Sequence, residues 1–427
     1  MICIYAHTTS PRLQYTCNFI FGELMGAEYE ISIDSEYCRG LPGPVINYSD
    51  GYIDNSFHLP NHALLFEDGI REQDISCFTA NDHPAFFKTT GGDFPFDVLA
   101  ASFFLISRYE EYLPHEKDEY GRYAHRQSTA FREGFLNIPL VNIWVQQFAE
   151  ALCKKYPSFQ PRYPLFRFIP TYDIDIAFSY KHKGWLRNAG GFLKSPSLAR
   201  LQVLSGAHPD PFDSYTFLDM QHRRYALQPL YFFLVAERNG VYDKNILPHK
   251  EVMWKLVKKH ARQYGIGLHP SWQSGDNAAL LHREKVQLES MGEIPVARSR
   301  QHYIRMALPL TYRALLAEGI TEEHSMGYGS INGFRASVAV PFYWYDLQRE
   351  ETTALRIYPF CFMDANAYYE QRLSPQQALE ESLHYLNACR QVNGTLVTLW
   401  HNNFLGTDPA FAGWKDVYGQ FIAQVQQ

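Results

Sequence analysis

The sequence predicts an α/β protein: an incomplete or irregular parallel (β/α) barrel behind a smaller N-terminal α/β domain. Three observations carry that expectation. From Phe166 onward, apolar strand-like runs alternate with amphipathic helical stretches, the pattern of βα units laid on a parallel sheet. Five segments in this half, TYDID (171–175), GLHPSW (267–272), SRQHY (299–303), GFRAS (333–337) and LWHNN (399–403), each close an apolar run with a polar residue suited to metal or proton chemistry. Strand ends of this kind converge at one rim of a parallel barrel, where such folds keep their chemistry. The first 160 residues read differently, mixing short strand-like pieces with turns before two long helical stretches.

In chain order, MICIYA, YEISI, VINYS and ALLFE are the short strand-like pieces of the N-terminal part. A helical region is expected over 97–112, where Phe103, Phe104, Leu105, Tyr109 and Leu113 approximate helical spacing. A polar stretch, HEKDEYGRYAHRQ, separates it from a second helix over 141–155, amphipathic through Ile143, Trp144, Phe148 and Leu152. The segment YPSFQPRYP has three prolines in nine residues and marks the boundary between an accessory domain (1–160) and a second domain (161–427).

In the second domain PLYFFLV reads as a strand, and HKEVMWKLVKKHARQYG as a helix stopped by Gly265. IGLHPSW, helical NAALLHREKVQLESMG, the SRQHY strand end, helical PLTYRALLAEG and EEHSMGY follow. A helix from Ser374, with Pro375 in its first turn and Gln377 completing a capping box, closes near Gly394. Six to eight such strands are expected. The stretch 181–213 breaks the alternation and is expected to run over the barrel mouth, where it would shape a substrate cleft.

Bulk properties narrow the function classes. The chain has 427 residues, 46% hydrophobic and 20% charged, with a net charge of −6 and no sustained Lys/Arg block. That composition excludes a general nucleic-acid binder and leaves neutral or polar substrates such as sugars. Seven scattered cysteines without a CxxC pair read as reduced thiols and not as a disulfide framework. The opening MICIYAHTTSPRLQY lacks the basic and apolar regions of a signal peptide, and no apolar run approaches the roughly 20 residues of a membrane span. The expected compartment is the cytoplasm.

Asp173 and Asp175 lie two apart on a strand and would face one side, an arrangement that favours a cation beside them. His269 and His302 end successive strands. With an aspartate they make a two-histidine, one-carboxylate set with an open position for water, as a catalytic divalent metal requires. Such a site lowers the pKa of water and polarises a carbonyl oxygen. His401 ends the last strong strand, so that Asp173 as proton acceptor and His401 as proton donor would stand on opposite sides of the reacting carbonyl. Arg335 and Asp364 are read as charged partners tuning those two groups. The aromatic run PFYWYDL (341–347) offers core packing first and a sugar-stacking surface second.

The order TYDID, GLHPS, GFRAS, LWHNN resembles the successive motifs of the polysaccharide deacetylase family, metal-dependent carbohydrate esterases that remove acetyl groups from sugars. The resemblance covers about residues 165–427 and implies a barrel of deacetylase type. It implies that Asp173 is the catalytic base, Asp175 and His269 metal ligands, Arg335 the residue that orients the base, and His401 the catalytic acid. The N-terminal segment SRYEEYLPHEKDEYGRY resembles the accessory domain that precedes deacetylase-like domains in some bacterial surface-polysaccharide gene products. Two positions depart from the family pattern. Gln273 stands where the second metal histidine is expected, and His302 is the expected replacement; Ala336 follows Arg335 where the family carries proline. Glu323, beside His324, is expected to add a polar contact at the site.

The resulting expectation is a cytoplasmic hydrolase of surface-polysaccharide synthesis that removes an acetyl group from an N-acetylated sugar or glycan precursor. Its metal would be zinc, with cobalt, nickel or manganese as alternatives, held by Asp175, His269 and His302. The competing expectation is a catalytically silent, glycan-binding or scaffolding protein of the same fold.

Overall fold

The computed structural model of the protein describes residues 1–184, 188, 193 and 197–426. In the N-terminal part, β1 (Ile2–Tyr5), β2 (Tyr29–Ser32), β3 (Val45–Asn47) and β4 (Phe57–His58) form a sheet in the order β2-β1-β3-β4, parallel throughout. A small antiparallel hairpin, β5 (Phe78–Ala80) and β6 (His83–Ala85), follows. ALLFE is a 3-10 turn (Ala63–Phe66) rather than a strand, started by His62, whose ring accepts from Leu64 N. The expected helix over 97–112 divides in two. Asp97 caps Val98–Ile106, Arg108 then takes a left-handed conformation at φ 55°, and a 3-10 turn occupies Tyr109–Tyr112. The helix Leu140–Lys155 stands as expected, and 157–166 carry no regular structure.

The second sheet has nine strands in the order β12-β13-β11-β10-β9-β8-β7-β15-β14. They are β7 (Arg167–Ile174), β8 (Leu230–Leu234), β9 (Gly265–His269), β10 (Arg298–Ser299), β11 (Glu322–Glu323), β12 (Phe342–Asp346), β13 (Glu351–Ile357), β14 (Phe362–Met363) and β15 (Thr395–His401). Every pairing is parallel except β12 with β13. Among the described residues β12 and β14 are the two edges, so the sheet is large and mostly parallel without a closing ladder. β8 and β15 are buried along nearly their whole length, as strands covered on both faces must be.

Local chemistry explains most element ends. The capping box at Ser374 and Gln377 forms as expected, on a helix from Pro375 to Gln391. The helix after β8 stops at Ala261, and Gly265 instead opens β9. Glycine is also required at 267, because a Cβ there would lie 2.5 Å from the Phe232 ring of β8. GFRAS closes no strand; Gly333–Ser337 lie in turns.

Of the expected excursion 181–213, residues 185–187, 189–192 and 194–196 lie outside the described residues. Its described remainder includes a helix, Leu198–Leu204, and Asp210, whose carboxylate accepts from the backbone N–H groups of Ser179, Tyr180 and Lys181. Among the described residues none from 181–213 lines the cleft described below.

The two parts of the chain share one continuous apolar core that runs from Ile2 to Val425. Most rings of PFYWYDL pack into that core, as expected first: Phe342 packs on Phe19, Tyr345 on Tyr15 and Phe103, and Trp344 Nε1 donates to Tyr112 Oη at 3.2 Å, while Tyr343 is half-buried. No helix among the described residues is long and apolar enough to cross a membrane.

Candidate active site

The parallel ladders bring the predicted residues to one end of the second sheet. On the β7/β15 ladder His401 lies opposite Asp173. His269 ends β9 beside Leu234 of β8, and Ser299 of β10 pairs with Leu268, so Arg300, Gln301 and His302 emerge beside His269. These ends open into a cleft of about 460 Å³ whose lining includes Asp173, Asp175, His269, His302 and His401.

One donor atom each from Asp175, His269 and His302 falls within 4.8 Å of the other two. His269 Nδ1 faces the Arg300 carbonyl oxygen at 2.5 Å, and a carbonyl accepts only, so Nδ1 carries the proton and a neutral ring offers Nε2. His302 is set in the same way by the Asp243 carboxylate, 3.0 Å from its Nδ1. Both Nε2 atoms therefore turn to Asp175, at 3.0 Å from His269 and 3.5 Å from His302. Asp175 Oδ1 is buried and makes no hydrogen bond of proper geometry. Two imidazole nitrogens braced from behind and a carboxylate oxygen without a hydrogen bond form a donor set that could hold a divalent metal. Asp175 keeps 26% of its side chain open to the cleft, against 2% for His269 and 5% for His302.

The acids of this corner favour positive charge, whether on an imidazole or on a bound cation. Burial alone would lower the pKa of His302, but Asp175 and Asp243 outweigh it and push the ring up to about 9. Burial would likewise raise the Asp175 carboxyl, yet His302, His269 and His401 hold it well below the usual carboxylate range.

Two further pairs flank the triad. Asp173, almost fully buried, receives Arg300 Nη1 at 2.9 Å, and the same nitrogen donates to Thr171 Oγ1 at 2.7 Å. Its other oxygen lies 3.7 Å from His269 Nε2. His401 presents Nε2 to Asp175 at 3.5 Å while its Nδ1 is held by Asp364 at 2.6 Å, and Asp364 also accepts the His401 backbone N–H at 2.7 Å. Burial pulls the His401 pKa down, but Asp364, Asp175 and Asp173 overcome it and push it up to about 10.

Two expected site residues are elsewhere. Arg335 does not reach Asp173 and does not pair with Asp364. It donates to Glu111 at 2.6 and 2.9 Å and to the Gly327 carbonyl at 3.0 Å, because GFRAS packs against the N-terminal part and meets a fully buried acid there. Glu323 is buried away from the cleft, accepting from Tyr312 Oη at 3.1 Å and Ser325 N at 2.9 Å. Asp364 does stand behind His401 as a tuning partner.

Sequence reasoning passed over Arg300 and Asp243. Arg300 lies in SRQHY, two residues before His302, but β10 ends at Ser299 and His302 opens a 3-10 turn, so no strand alternation relates the two. Asp243 lies in the loop after β8, 59 residues before His302, and no local pattern announces it. Gln273, at the place of the expected second histidine, supports the triad indirectly: its Nε2 donates to Asp243 Oδ2 at 3.0 Å.

Residues 2–157 match the model of a family of unknown function (DUF7033). A comparison with curated proteins gives no match. Among solved structures the chain overlaps a Mycobacterium smegmatis protein assigned to the polysaccharide deacetylases, at 15% identity over 63% of this chain and 86% of that one, with a TM-score of 0.41. The 4-alpha-glucanotransferase of Thermococcus litoralis overlaps at 11% identity, over 62% and 37% of the two chains, with a TM-score of 0.36. The polysaccharide deacetylase Bc1974 of Bacillus cereus overlaps at 9% identity, over 60% and 87%, with a TM-score of 0.32.

Proposed function

We propose that the protein is a divalent-metal-dependent hydrolase that removes the acetyl group from an N-acetylated sugar or glycan precursor. One observation carries the reading: a metal-donor triad, a buried carboxylate braced by an arginine, and a histidine braced by an aspartate open into one cleft. A metal held by Asp175, His269 and His302, zinc before cobalt, nickel or manganese, supplies Lewis-acid polarisation of the amide carbonyl and acidifies a water molecule.

The chain's own residues divide the proton chemistry. Asp173 takes a proton as water oxygen adds to the amide carbon, and Arg300, 2.9 Å from Oδ1, holds that carboxylate in orientation before the transfer. His401, held by Asp364 through Nδ1, delivers a proton from Nε2 to the leaving nitrogen as the C–N bond breaks. The products are acetate and a free amino sugar. His269 and His302 stay in one orientation because Arg300 O and Asp243 fix their Nδ1 atoms.

The test is acetate release from a panel of N-acetylated sugars by the metal-loaded wild type and Asp173→Asn. The expected result is release by the wild type and its loss in the variant at unchanged metal content. Sugar binding without release from any member of the panel would favour the silent, glycan-binding alternative.

A further inference from the structure

We propose that the hairpin 117–123 of the N-terminal part is a wall of the substrate cleft, and that Tyr120 and Tyr303 form a stacking subsite for a neighbouring pyranose ring of an oligosaccharide. The inference rests on the hydrolase reading above and extends it to the length of the substrate. It also gives the segment matching the family of unknown function a part in the site.

The hairpin is built to hold one shape. Lys117 and Tyr123 pair across it, Gly121 supplies the left-handed turn residue at φ 73°, and Asp118 Oδ1 accepts from the backbone N–H groups of Tyr120 and Arg122 at 3.0 and 2.9 Å. Arg122 then ties the turn to the second sheet. Its Nε binds Asp118 at 2.6 Å and its Nη1 donates to the Tyr303 carbonyl at 2.7 Å. Glycine at 329 makes room, since a Cβ there would lie 1.9 Å from Arg122 Nη1.

The residue so held is unusual. Tyr303 and Ile304 both have left-handed backbones, at φ 59° and 55°, a conformation costly for residues with a Cβ and maintained where the surroundings enforce it. It directs a 36% exposed tyrosine to the cleft immediately after His302. Tyr120 lies against it, ring centroids 5.3 Å apart, and Trp272 stacked on Tyr242 at 4.0 Å extends the same aromatic surface. Tyr303 also lies 4.7 Å from the His302 ring, so the platform adjoins the donor triad at about one sugar ring's remove.

Charge selects a sugar over a nucleotide diphosphate. The cleft carries the acids Asp173, Asp175 and Glu370, while the nearby cations are committed, Arg122 to Asp118 and Arg305 to Asp276. Arg122 covers one face of Tyr120 at 4.7 Å and Arg305 one face of Trp272 at 4.6 Å, and the aromatic surface they back suits the apolar C–H face of a pyranose.

The test is calorimetric titration of the full-length, zinc-loaded protein with N-acetylglucosamine and with its β-1,4-linked tetramer. Wild type, Tyr120→Ala and Tyr120→Phe are compared, with metal content and acetate release followed on the same samples. The expected result is a tetramer affinity about tenfold lower in Tyr120→Ala and within about twofold of wild type in Tyr120→Phe, at equal metal content. Equal tetramer affinity in Tyr120→Ala and wild type, or no tetramer binding by the wild type, overturns the subsite. Should Tyr120→Ala lose its metal, tryptophan emission decides: a tetramer-induced change in the wild type that Trp272→Phe removes upholds the subsite, and no change overturns it. Acetate release separates the two claims. Release without a Tyr120 effect overturns the subsite alone, and a Tyr120 effect on binding without release upholds it while overturning the hydrolytic reading.

Discussion

Arg300 Nη1 stands 2.9 Å from Asp173 Oδ1, and that pair, not Arg335, governs the buried carboxylate proposed as base. The Arg300 guanidinium is fully buried, lies 4.5 Å from the Phe232 ring and donates through Nε to the His324 carbonyl at 2.9 Å. Its own carbonyl meanwhile fixes His269. One residue thus sets both the proposed base and a proposed metal-donor ring.

Arg300→Ala is expected to lower kcat for acetate release about 100-fold while metal content is retained, since the backbone contact to His269 survives. Arg300→Lys should restore part of the loss. Unchanged turnover in Arg300→Ala, measured on protein with full metal, would remove Arg300 from the account.

Arg335→Met should act on stability. It leaves Glu111 buried beside only Arg108, a change worth about 3 to 5 kcal/mol. Urea unfolding should show the loss, while acetate release per folded molecule stays within about twofold.

Much of this site was legible in the sequence, because period-two alternation and strand-end position are local properties. Asp173, Asp175, His269, His302 and His401 each close a strand or follow one, and parallel pairing does the rest. Arg335 misled because its partner is Glu111, 224 residues away, and a motif carries no record of such a partner. Asp243 was invisible for the same reason, and the division of 97–112 turns on the single left-handed residue Arg108. The N-terminal contribution to the cleft depends on how the two parts pack, which no periodicity encodes.

Glu111 also sets a pH dependence. Burial would raise its pKa, but Arg335 and Arg108 overcome that and hold it at about 2, below its ordinary 4.5. A depressed carboxyl stabilises the fold above its unfolded value, and the contribution is lost as pH falls through the folded one. Stability should therefore drop by about 3 kcal/mol between roughly pH 4.5 and 2. The drop, followed by urea midpoints, should be smaller in Glu111→Gln.

Asp243→Ala frees the His302 ring from its brace and should weaken zinc binding about 10- to 100-fold, read by competition with a chromophoric chelator. Wild-type affinity in that variant would mean that Asp243 merely anchors the Trp272 backbone, whose N–H donates to its Oδ1 at 2.9 Å.

The central claim is that Asp175, His269 and His302 hold a divalent metal. Elemental analysis of protein purified without a metal-affinity tag tests it most directly, comparing wild type with Asp175→Ala, His269→Ala and His302→Ala after incubation with zinc, cobalt or nickel. The account predicts near-stoichiometric metal in the wild type and its loss in each variant. No metal in the wild type, or metal retained at full occupancy in all three variants, would contradict it.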